Sequence, residues 1–138
     1  KRAKKVEHRA KTKGWFKVYK QEDIYRYEPG RNFHALLQST EQTLGAKLPI
    51  IENLVEHLCK LRDTRSIEIF ATVYAAWNNL LLRRVPVTDE AIVTEARENW
   101  HSKKLEIDRQ RFFGAIKWMR HNGFVPKGIG REVAHAKS

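Results

Sequence analysis

Asp108-Arg-Gln-Arg-Phe-Phe-Gly-Ala-Ile-Lys-Trp-Met-Arg-His-Asn-Gly-Phe124 is the stretch on which the reading of this chain turns. Asp108 is an N-cap residue type. Ile107 before it and Phe112 at the fourth helical position stand where a hydrophobic staple needs them. Asn122-Gly123 closes the segment, with Gly123 suited to the left-handed cap conformation and Phe124 placed to pack back on the helix. At 100° per residue, Phe112, Ala115, Ile116 and Met119 share one face. Gln110, Gly114, Lys117 and His121 stand opposite, and Arg111 and Trp118 lie together on a flank. Residues 109–121 therefore read as an amphipathic helix with a polar, basic outer stripe. A mid-helix glycine costs about 1 kcal/mol relative to alanine. Gly114 then either permits close approach by another backbone or relieves crowding beside Phe113 and Trp118.

Upstream, the apolar periodicity keeps its helical spacing. Thr88 with Asp89 and Glu90 starts a helix whose stripe is Ile92, Val93, Ala96 and Trp100. Ser66 is placed to cap a helix apolar on most sides, from Ile67 to about Leu82, and such a helix belongs at the centre. Arg83-Arg84 meet its dipole and Pro86 stops it. Two further helices are expected at about 33–44, capped by Asn32, and from Pro49 to about Asp63, paired antiparallel. Trp15, Phe16, Val18, Tyr19, Ile24, Tyr25 and Tyr27 form short extended runs before the Pro29-Gly30 turn.

The chain has 138 residues and a net charge of +11, with 27 Lys and Arg against 16 Asp and Glu. The charge is uneven: +8 over residues 1–20, −3 over 21–100 and +6 over 101–138. Two basic ends around an acidic middle suggest a surface for a polyanion. Residues 1–13 hold too little apolar material for a core, so they read as a basic arm or a solvated linker. Residues 14–138 read as one helical domain. The longest apolar run is broken by Glu68, Asn78 and Asn79 and is too short to cross a bilayer. A lone Cys59 and the absence of a secretory leader favour an intracellular protein. A start at Lys1 suits a module cut from something longer.

The succession from 88 to 131 is a capped helix, a connection, a second capped helix, extended residues Phe124-Val125-Pro126 and the basic Lys127-Gly128-Ile129-Gly130-Arg131. Over residues 67–131 it resembles a winged helix-turn-helix domain. The resemblance implies a mainly α fold of about five helices with a winged-helix-like C-terminal half and a small extended or β element. It also implies duplex DNA as partner, with the second helix in the major groove and the basic loop as a wing beside the backbone. In that reading Gln110 and Arg111 face base edges, Lys117 and His121 contact phosphate, and Lys127 and Arg131 act from the wing. Trp118 stacks or wedges, and Lys103 and Lys104 add phosphate contacts. The connection His101–Ile107 is longer than a tight helix-turn-helix allows. The phrases Ala71–Leu80, Thr88–His101 and Phe124–Gly130 also look like accessory-domain sequence of bacterial restriction-modification or related DNA-processing proteins.

Catalysis finds little support, and an enzyme ranks third among the readings. The six histidines are scattered, and His57 and Cys59 point apart on one helix. One cysteine excludes the usual zinc frameworks, so neither metal nor cofactor is expected. Glu52 and Glu56 lie on a polar helix face. The expectation is a non-catalytic nucleic-acid-binding module, and the leading alternative is a protein-docking module built from Trp118, Phe113 and the aromatic segment 15–27.

Overall fold

The computed structural model describes residues 2–22, 24–61 and 63–134, and the protein is mainly helical with one small sheet. It divides into two compact units, Lys1–Glu56 and His57–Ser138.

In the first unit α1 (Arg2–Thr12) leads into strands β1 (Phe16–Gln21) and β2 (Ile24–Pro29), which pair antiparallel from Phe16 opposite Pro29 to Gln21 opposite Ile24. The basic arm is thus an ordered helix packed against β1. The extended runs expected from aromatic content form a hairpin. Asn32 precedes α2 (Phe33–Leu44) but makes no side-chain cap. Its Nδ2 instead donates to the Lys13 carbonyl at 2.9 Å, tying the start of α2 to the end of α1. Phe33 meets Phe16 edge to face at 5.4 Å. A 3-10 turn over Gly45–Lys47 leads to α3 (Leu48–Cys59). The antiparallel pairing expected of these two helices does not form: they follow one another through the turn without packing side by side. No described side chain between residues 4 and 56 is buried.

The second unit carries the core. α4 (Thr64–Leu82) is its centre and buries Ile69, Phe70, Val73, Ala76, Trp77 and Leu80. Its N-cap is Asp63 rather than Ser66, because the Asp63 carboxylate accepts both the Ser66 N–H at 2.8 Å and the Ser66 hydroxyl at 2.6 Å. α5 (Asp89–Val93), capped by Thr88, runs on through a wide π-type turn to Glu98 and buries Ile92, Val93 and Ala96 completely. α6 (Arg109–His121) contributes Phe112, Ile116 and Met119, all at 0% exposure. Each such side chain stabilises the fold by about 1.5–3 kcal/mol through loss of apolar surface to water. The caps of α6 form as the sequence requires. Asp108 accepts from the Gln110 N–H at 2.9 Å. Gly123 takes φ +76°, and Phe124 N–H donates to the Met119 carbonyl at 2.8 Å. The long connection between α5 and α6 is a 3-10 turn, Ser102–Glu106, opened by His101 Nδ1 accepting from Lys103 N–H.

After α6 the chain does not form a β-wing: residues 122–134 contain no strand. The segment lies along α4 and is fastened there. Gly128 N–H donates to Asn78 Oδ1 while Asn78 Nδ2 donates to the Ile129 carbonyl, both at 3.0 Å, and Asn79 holds Val133 in the same two-bond manner. A Cβ on Gly128 would stand 2.9 Å from the Leu81 Cβ, so only glycine allows this approach. The flexible basic loop expected from its glycines is a docked segment.

Candidate nucleic-acid interface

Ion pairing sorts the basic residues of the second unit into two sets. Most of its arginines are spent on carboxylates. Arg109 bonds Glu90 at 2.7 Å and Glu98 at 3.2 Å, and Arg120 bonds Asp89 at 2.9 Å, so one flank of α6 is laced to α5 and the turn that follows it. Arg83 joins the buried Glu95 at 2.7 Å to Glu132. Arg97 bridges Glu98 and the carbonyls of Leu105 and Ile107. Much of the C-terminal basicity is therefore internal mortar.

Three expected contact residues fall into this structural set. Lys104 is buried at 7% exposure and its ammonium pairs with Glu68, so it cannot reach a ligand. Arg111 is exposed but bonded to Asp63 at 3.4 Å and to the Ser66 hydroxyl at 3.2 Å, which draws it off the base-reading face toward the start of α4. Trp118 makes its ring contacts within the protein. Its ring stacks on Phe124 at 5.6 Å and meets Phe70 and His57 edge-on, closing an aromatic cluster at the edge of the core. Phe113, half-buried, lies under the Arg109 guanidinium at 5.5 Å.

The remaining expected residues are exposed: Lys103 in the 3-10 turn, Gln110, Lys117 and His121 on α6, and Lys127 and Arg131 in the docked segment. None of the four cations Lys103, Lys117, Lys127 and Arg131 has an ion pair among the described residues. Gln110, Gly114, Lys117 and His121 form one outward stripe, opposite the buried Phe112, Ile116 and Met119. Apart from its chain neighbours, a Cβ on Gly114 would meet nothing within 4 Å, so Trp118 does not crowd it. Gly114 instead borders a shallow apolar cleft of about 210 Å³, walled by Ile69, Phe70, Ala115 and Trp118. That volume is below the roughly 300 Å³ at which small-molecule sites begin.

In sequence Arg84 reads together with Arg83 as meeting the dipole of α4 and is not singled out as a contact residue. It is exposed, takes φ +56° and ends α4 in a left-handed cap, with no ion pair among the described residues. Its neighbour Arg83 takes both carboxylates, a division that a bare Arg-Arg dipeptide does not disclose. Among the described residues no three His, Cys, Asp or Glu side chains gather as metal ligands, and no helix is long and apolar enough to cross a membrane. No protein-family model, curated protein or solved structure matches the chain.

Proposed function

We propose that this chain is a non-catalytic nucleic-acid-binding module that holds duplex DNA against the outer stripe of α6, as part of a larger DNA-processing protein. The observation that carries the reading is the selective neutralisation of charge. The arginines that fasten α6 to its neighbours are consumed, while Lys117 and His121 on the outward stripe, with Lys103, Lys127 and Arg131 around it in sequence, face solvent. Phosphate is the chemistry such cations suit, and Gln110, one residue inside the N-terminus of α6, supplies an amide for a base edge. The bare backbone at Gly114 lets a sugar-phosphate strand approach the helix closely.

Titration of a labelled duplex at increasing salt tests the proposal. Four phosphate-neutralising cations give a log–log slope of about −3.6 and a loss on the order of 10²-fold between 50 and 200 mM salt. Binding that is weak and insensitive to salt overturns it. A docking role is the second reading. Trp118 and Phe113 are occupied within the second unit, so what favours it is the hairpin, where Tyr19, Ile24, Tyr25 and Tyr27 are 48–72% exposed.

A further inference from the structure

The other concentration of positive charge lies in the first unit, where residues 1–31 hold eleven Lys and Arg against four Asp and Glu. Lys4, His8 and Lys11 recur at i, i+4 and i+7 and so share one face of α1. Tyr25 of β2 stands across from that face, and with Glu7 these side chains line an open recess of about 280 Å³. Glu7 is committed to Lys11 at 3.0 Å, while Lys4 and His8 have no ion pair among the described residues. The strand register puts Tyr25 opposite Lys20 and Tyr27 opposite Val18, so both rings share a hairpin face with Phe16, Val18 and Lys20. Phe16 and Val18 are half-buried there, yet the two tyrosines stay 51% and 53% exposed. Two residues apart on one strand, their Cα atoms are about 7 Å apart.

We infer that this face of the first unit binds an unpaired nucleic-acid strand. Tyr25 and Tyr27 are platforms for successive bases, and Lys4, His8 and Lys20 meet its phosphates. The combination of rings and cations selects the ligand. Cations alone suit any polyanion, but the bases of a duplex present only their edges, so exposed rings set among cations add affinity for a strand whose base faces are free. An anionic membrane requires an apolar helix face that sinks below the headgroups, and between Lys4 and Thr12 α1 offers only Val6 and Ala10. An acidic polypeptide satisfies the cations but carries no planar group repeating in step with its charges. The strand site shares no residue with the outer stripe of α6 and does not rest on the duplex reading of that stripe.

Fluorescence anisotropy of the full chain with a labelled oligothymidylate of about 15 nucleotides tests the inference. Tyr25→Ala and Tyr27→Ala are each expected to weaken binding about ten-fold, the loss of one stacked base. Tyr25→Phe, which keeps the ring, binds as the parent does. Tyr25→Leu, which keeps an apolar side chain in the strand but no ring, loses as much as Tyr25→Ala. Lys4→Ala combined with Lys20→Ala reduces the log–log salt slope by about 1.4, the single-strand value for two phosphates. Lys117→Ala on α6 leaves oligothymidylate affinity unchanged, so a failure of the duplex reading is seen separately from a failure of this one. Parent-like affinity in both Tyr25→Leu and Tyr27→Ala overturns the inference. Equal or tighter binding to polyglutamate, or to vesicles of about one-third phosphatidylserine, overturns it in favour of an acidic protein or a lipid surface.

Discussion

Asn79 and the main chain of Val133, 54 residues apart, exchange two hydrogen bonds: Nδ2 donates to the Val133 carbonyl at 2.8 Å, and Val133 N–H donates to Oδ1 at 2.9 Å. Asn79 is fully buried on α4. A side-chain amide presents the donor and acceptor of a peptide group, so it can serve an extended segment as a neighbouring strand would.

Asn79→Leu keeps the volume but abandons the Val133 N–H and carbonyl. The expected loss is about 2–3 kcal/mol, read as a lower urea midpoint. Limited proteolysis should show cleavage between residues 127 and 133 accelerating in the variant. A midpoint within error of the parent, with the segment still protected, would mean the two bonds do not hold it.

The amphipathic helix at 109–121 was legible because its signals are local and agree: Asp108 as cap, Ile107 and Phe112 about it, Gly123 at its end. The apolar surround of α4 correctly marked it as central. The destination of the cations was not legible. Lys103 and Lys104 are indistinguishable as neighbours in sequence, yet one is exposed and the other buried against Glu68, 36 residues upstream. That partition depends on which carboxylates the fold delivers. Asn78 and Asn79 registered only as interruptions of an apolar run, although buried amides in such a run must be hydrogen-bonded to something distant. A hairpin and a docked segment, both defined by pairing at a distance, are the elements local reading rendered as loose extended chain.

Acid should weaken the second unit in a defined direction. Hydrogen bonding from Lys104, opposed by desolvation and aided by Lys104 and Arg65 charge, holds Glu68 below its ordinary 4.5. Hydrogen bonding from Arg120 likewise holds Asp89 below 3.8. With the native pKa depressed, the unfolded chain binds protons first. The stabilisation is complete above these ordinary values and is lost as pH falls through the native ones. Melting temperature is expected to drop as pH falls below about 4.5. Lys104→Met, which fills the same buried position, should make the acid limb shallower by removing the Glu68 share. An identical limb in both proteins would show that the pair does not couple to folding.

Gly114→Ala separates stability from binding. The added methyl meets nothing within 4 Å, and alanine is favoured over glycine inside a helix by about 1 kcal/mol. The variant should therefore be more stable. If a DNA strand lies close on the outer stripe, the same methyl weakens binding, and Gly114→Leu weakens it further while the fold persists. Unchanged affinity in both variants would remove the outer stripe of α6 from the contact surface.

Lys117 and Arg109 sit on the same helix with opposite duties, and their substitution should divide accordingly. Arg109 joins Glu90, Glu98 and the Thr94 hydroxyl and covers the Phe113 ring, so Arg109→Ala loosens α6 from α5 and lowers the melting temperature. Lys117 is exposed and has no ion pair among the described residues, so Lys117→Ala leaves stability within about 0.5 kcal/mol. On duplex DNA the order reverses in the salt titration. Lys117→Ala reduces the log–log slope by about 1 and weakens all sequences alike, which is the behaviour of a lost phosphate contact. Gln110→Ala instead leaves the slope unchanged and alters preference among sequences, because an uncharged amide releases no counterion. A Lys117→Ala slope equal to that of the parent would exclude phosphate as what that lysine meets.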